Sequence, residues 1–173
     1  VLERYKKSDL TSWHEYEILE MALFFALPRV DTKPIAKKLL EKFGTINGVI
    51  SSDVKHLKEI EGLGEYAVTY LKFLRDFCIR ISAETLISHN VLEDDDTYLT
   101  SSEKVFHFLK ILIGAKKEEE FVLIFLNNKN KVLGYEIIAK GIADEVFIYP
   151  RKVVEKTLHY NAVGVIVAHN HPT

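Results

Sequence analysis

The stretch VGVIVAHNHPT, residues 163–173, carries an apolar, β-branched run into two histidines one residue apart. In extended backbone, side chains two residues apart point to one side, so His169 and His171 present their rings together while Asn170 faces away. Paired imidazoles are a donor set for zinc, which binds ring nitrogen at about 2.0–2.1 Å. A catalytic zinc commonly has three protein ligands and a water whose pKa it lowers towards about 7, which is the chemistry of hydrolysis. The other histidines, His14, His56, His89, His107 and His159, are scattered and read as ordinary. A second stretch with chemical potential is Gly62-Leu63-Gly64, between two helix-like segments. Two glycines permit a tight turn with positive φ and can leave backbone amides facing outward at the next helix start, where a DNA phosphate can sit. Leu63 between them would plug into the helix pair. The following Glu65 is unhelpful to an anion, so packing or protein contact is the stronger reading of this turn.

The elements that must position these residues follow from periodicity. WHEYEILEMALFFAL, TKPIAKKLLEKF, DVKHLKEI and EYAVTYLKFLRDFCIRI all space apolar residues by three and four, which predicts a small helical bundle. Pro28 ends the first helix, Thr32 is placed to cap the second with Pro34 in its first turn, and Gly44 closes it. Trp13, Tyr16, Phe24, Phe25 and Cys78 are expected in the core. In the second half, a helix capped by Thr100, Ser101 or Ser102 runs to about Ile113. FVLIFLN and KVLGYEIIAKG then read as a hairpin turned by NKN, Pro150 opens a helix over RKVVEKTLHYN, and VGVIVA is a short buried strand. The expected organisation is a helical domain at 1–83, a linker at 84–98 around three consecutive aspartates, and a second domain at 99–173.

Composition narrows the classes. The chain has 173 residues, 47% hydrophobic and 28% charged, as in ordinary globular proteins. No apolar run approaches the roughly 20 residues of a membrane helix, so no membrane partner is expected. VLERYKKSDL lacks the apolar stretch of a secretory signal, and Val1 in place of an initiator methionine suggests a fragment edge. The single cysteine excludes an internal disulfide, and a cytoplasmic location is expected. A net charge of −2 gives no general attraction to nucleic acid. Oligomeric state is not legible.

YPRKVVEKTLHYNAVGVIVAHNHP resembles the RadC family of bacterial proteins, and LLEKFGTINGVISSDVKHLKEIEGLGEYAV is similar to that family's N-terminal helix-hairpin-helix region. The resemblance implies a mixed α+β and α/β fold: a helical N-terminal bundle with a helix-hairpin-helix, then a JAB1/MPN/JAMM-like, cytidine-deaminase-like α/β domain, incomplete at its C-terminus. It also implies zinc metallopeptidase chemistry on a peptide or isopeptide bond, with His169 and His171 as metal ligands. The family's catalytic glutamate stands two residues before a phenylalanine, which selects Glu119 ahead of Phe121. Glu120 is the alternative and Glu118 is solvated. Strand alternation puts Glu119 and Glu120 on opposite faces, so the two are separable. Relatives continue past H-x-H-P to a serine that stabilises the oxyanion and an aspartate that is the third zinc ligand. Both are expected beyond Thr173, so the fragment by itself is expected to be inactive. Lys152 departs from the glutamate relatives commonly carry after Pro-Arg. The family's name points to a second function, DNA association or scaffolding through the helix-hairpin-helix. A third reading makes the aromatic WHEYEILEMALFF segment a partner surface.

Overall fold

A computed structural model describes residues 1–7, 9–88, 98–141 and 148–172. The chain divides into two compact units, Val1–Phe77 and Cys78–Thr173. His89 and residues 89–97 of the expected linker lie outside the described residues, while residues 84–88 continue a helix. No helix among the described residues is long and apolar enough to cross a membrane.

The first unit contains α1 (Leu2–Tyr5), α2 (Glu15–Ala26), α3 (Lys33–Phe43), α4 (Ile46–Ser51), α5 (Val54–Lys58) and the start of α6 (Glu65–Ser88). Their apolar stripes meet in one core of Leu19, Leu23, Leu39, Val49, Leu57 and Leu71, with Leu63 plugged into it from the glycine turn. The helix ends are settled locally. Glu17 accepts from the His14 backbone amide at 2.9 Å, which closes the start of α2 and holds its carboxyl below the usual range. Gly44, at φ 79°, terminates α3, and Lys72 donates to the carbonyls of Ile50 and Ser52 at 3.0 Å, satisfying the end of α4. Thr32 stands at the N-cap of α3 as expected, and its carbonyl accepts from the Ala36 amide, but its side chain makes no capping bond. Its hydroxyl donates to the Glu20 carbonyl, and Asp31 Oδ1 instead accepts from the Lys33 amide at 3.2 Å. Helix α4 has too few residues for a period to show in the sequence.

Two core expectations fail. Trp13 is buried and Tyr16 half-buried, but Phe24 and Phe25 are exposed, because α2 turns Leu19 and Leu23 inward and these two follow at the wrong angle. Cys78 is also exposed: the buried positions of α6 there run Arg75, Ile79, Ala83, four apart, and leave it off the stripe.

The second unit is mixed α+β. It holds the end of α6, then α7 (Tyr98–Leu112), β1 (Glu119–Leu126), β2 (Val132–Gly141), α8 (Pro150–His159) and β3 (Gly164–His169). Helix α7 already begins two residues ahead of the earliest expected cap, Thr100. The sheet order is β2-β1-β3, with both neighbours antiparallel to β1. In the hairpin turn, Asn127 Oδ1 accepts from the amides of Lys129 and Lys131, and Asn130 takes φ 56°.

Alternation along β1 feeds two cores. Val122 and Ile124 pack with Phe108, Leu112 and Ile79, whereas Leu123 and Phe125 pack with Ile138, Val153 and Tyr160. Tyr160 stacks on Phe125 at 4.3 Å, in space kept open by Gly134, whose Cβ would lie 2.4 Å from the ring. Lys152 donates to the Ile138 carbonyl and Lys156 pairs with Glu136 at 2.7 Å, tying α8 to β2. The expectation of a buried β3 is corrected. It is half-buried, with Val167 54% exposed, and among the described residues it pairs with β1 on one side only.

The glycine turn yields a stability test. Gly62 sits at φ 86° with Ile35 Cδ1 3.1 Å from an added Cβ, whereas an added Cβ at Gly64 meets nothing within 4 Å. Gly62→Ala should cost about 1–2 kcal/mol in urea unfolding, since an L side chain there is strained. Gly64→Ser should be neutral or stabilising, because the Gly64 carbonyl accepts from Val68 and so opens α6 at a capping position. Equal losses in both would contradict this division.

Candidate metal and hydrolytic site

The site is assembled where β1 begins and β3 ends. Antiparallel pairing sets Phe121 opposite His169, the last pair of the β1–β3 ladder. The Phe121 ring stacks on the His169 imidazole, with centroids 5.7 Å apart and planes 10° from parallel, so the imidazole has one flank fixed. A register shift in the β1–β2 pairing falls between Phe121 and Val122, so the ladder is irregular beside the site.

His169 and His171 come together. Their Nε2 atoms are 2.8 Å apart and both residues are exposed. Two nitrogens on a tetrahedral zinc lie about 3.3 Å apart, given bonds near 2.0–2.1 Å, so a separation wider by about half an ångström would admit the ion. The donor chemistry and its convergence therefore fit zinc as two of its ligands. Among the described residues, no group of three or more His, Cys, Asp or Glu side chains is placed to hold a metal.

The two candidate carboxylates are separated by alternation. Glu119 Oε1 lies 3.8 Å from His171 Nδ1, so it approaches the ring from the side opposite the paired Nε2 atoms. Its side chain is 18% exposed. Glu120 is buried and pairs with Lys140 at 3.0 Å and Lys116 at 3.7 Å. Among the described residues its Oε2 has no hydrogen-bond partner. Glu118 is exposed. Glu119 thus stands by the imidazoles and Glu120 by two lysines.

Alternation places Asn170 only as the residue facing away from the histidines and does not show its hydrogen bonds. Its Oδ1 accepts from the Glu120 amide at 2.8 Å, and its Nδ2 donates to the carbonyls of Glu118 at 3.0 Å and Lys116 at 3.2 Å. An asparagine between two histidines has the right chemistry for such bonds, but the partners are some fifty positions away and no local pattern names them.

Gly62, Leu63 and Gly64 lie in the first unit. Leu63 is buried, Gly62 holds the positive φ, and Glu65 is exposed in the first turn of α6.

The carboxylates give a paired test. Glu120→Gln should lower stability by about 1–2 kcal/mol, because it removes the buried negative charge that pairs with two lysines, and Glu119→Gln should lower it by clearly less. Thermal unfolding measured on both reads the difference; the reverse order would contradict the placement.

The profile of the RadC-like JAB domain matches residues 99–173. A UPF0758 protein of Fusobacterium nucleatum subsp. nucleatum is 33% identical over 173 residues, spanning 100% of this chain and 75% of the relative. UPF0758 proteins of Ruegeria pomeroyi and Rhodobacter capsulatus are each 33% identical over 171 residues, 99% of this chain, covering 73% and 77% of their own lengths.

Proposed function

Because this chain belongs to the UPF0758 family of RadC-like proteins, we propose that it carries the metal-binding and proton-transfer elements of a zinc-dependent hydrolase acting on peptide or isopeptide bonds. The observation that supports this reading is the convergence of the His169 and His171 Nε2 atoms, 2.8 Å apart; Glu119, on the Nδ1 side of His171, is assigned the proton transfer by the RadC resemblance and must swing towards the Nε2 side to perform it.

His169 and His171 would hold the zinc through Nε2, with an aspartate after Thr173 as the third ligand. Zinc, when bound, polarises the scissile carbonyl and makes a water acidic enough to attack near neutral pH. Glu119 takes the proton of the attacking water and returns it to the leaving amine, a carboxylate shuttle that typically contributes about 10²–10⁴-fold. Phe121 limits the swing of the His169 ring, and burial with Lys140 keeps Glu120 out of the reaction. A serine beyond the same segment would donate to the oxyanion.

A second reading, DNA association through the glycine turn, draws support from the open space at Gly64, which lets another backbone approach closely. Glu65 beside it argues against a phosphate. This reading requires salt-dependent DNA binding that Gly64→Trp abolishes.

For the hydrolase reading, zinc content of the full-length protein should be stoichiometric and should vanish when His169→Ala and His171→Ala are combined. Glu119→Gln should keep the zinc and lose about 10²–10⁴-fold in turnover of an isopeptide substrate. Zinc retained by the double variant, or undiminished turnover in Glu119→Gln, would contradict it.

A further inference from the structure

We propose that Asn170 is the positioning residue of this site: its carboxamide stands in for one more rung of the sheet and thereby sets the imidazole pair against Glu119. The inference rests on the hydrolase reading for its functional meaning, but its geometry is independent of any metal.

A primary carboxamide carries the same acceptor and donor as a peptide group. The backbone ladder between β1 and β3 ends at Phe121 and His169. Beyond that pair the Glu120 amide would lack a strand partner on this side, and Asn170 Oδ1 accepts from it at 2.8 Å. On the other side of the same carboxamide, both Nδ2 hydrogens are used, on the Glu118 carbonyl at 3.0 Å and the Lys116 carbonyl at 3.2 Å. One side chain thus bonds backbone groups on both sides of Glu119 and restrains that residue's Cα.

The consequence falls on the histidines. Because Asn170 continues the pairing with its side chain, the backbone after His169 is free to leave the strand course. Residues 170–172 are outside any strand, and His171 folds its ring back to 4.5 Å from that of His169. Asn170 lies between the two rings in sequence and points to the segment that carries the carboxylate. A change here moves the imidazoles and Glu119 relative to each other without removing any of them. Outer groups that orient metal ligands typically matter by about 10- to 100-fold in affinity or activity.

The test uses the full-length protein with Zn²⁺ alone, read by isothermal titration, and amide hydrogen exchange by NMR without metal. Asn170→Ala should weaken Zn²⁺ binding by about 10- to 100-fold and strip protection from the Glu120 amide, with Phe121 to Phe125 staying protected. Asn170→Ser, a milder change, should shift both readouts in the same direction and covers the case in which the alanine variant fails to fold. Val122→Ala, buried in β1 on the opposite face, should lower the melting temperature yet leave Zn²⁺ affinity unchanged, which separates positioning from general stability. Wild-type affinity in a folded Asn170 variant overturns the inference while the hydrolase reading stands. Absence of Zn²⁺ binding in the wild type itself overturns the hydrolase reading and, with it, the role assigned to Asn170.

Discussion

The site depends on the register of β1 against β3. Pairing Phe121 with His169 puts a strand that begins in acidic residues beside a strand that ends in imidazoles, and antiparallel direction brings those two ends together. A slip of one residue would turn every side chain of β3 to the other face. Glu120, buried between lysines, would then be the carboxylate sharing the imidazoles' side, and Val165 would leave the core it shares with Phe125. Register is thus held by burial at one end of the strands and expressed as chemistry at the other.

That burial is asymmetric. Strand β1 is covered on both faces and runs through the centre of the sheet, so it cannot move to accommodate a site. Strand β3 is half-buried. The strand covered on both faces therefore contributes the carboxylate, and the half-buried strand contributes the imidazoles. Stacking of His169 on Phe121 and the three hydrogen bonds of Asn170 restrain the looser partner where the ladder gives out.

Much of this was legible in the sequence. Two-residue periodicity puts Glu119 and Glu120 on opposite faces, the resemblance to the RadC family selects Glu119, and H-x-H after a β-branched run predicts paired rings. The hairpin, the helix opened by Pro150 and the plug at Leu63 were readable from punctuation and spacing. What was not legible depended on tertiary neighbours. The partial exposure of β3 depends on what packs against it, and an apolar run reads the same in either case. Phe24, Phe25 and Cys78 look like core by type, yet their angle around the helix axis leaves them exposed. Thr32 had a capping side chain at a capping position, and the Glu20 carbonyl took its hydroxyl instead. Asn170 is the sharpest case, because its three partners lie at the far end of another strand.

The most direct measurement of the central claim is the anomalous signal at the zinc edge from crystals of the full-length protein. The account predicts one peak bonded to Nε2 of both His169 and His171, on the sheet face that carries Glu119. A peak held by other residues, or imidazoles turned apart with the ion bound elsewhere, would contradict it.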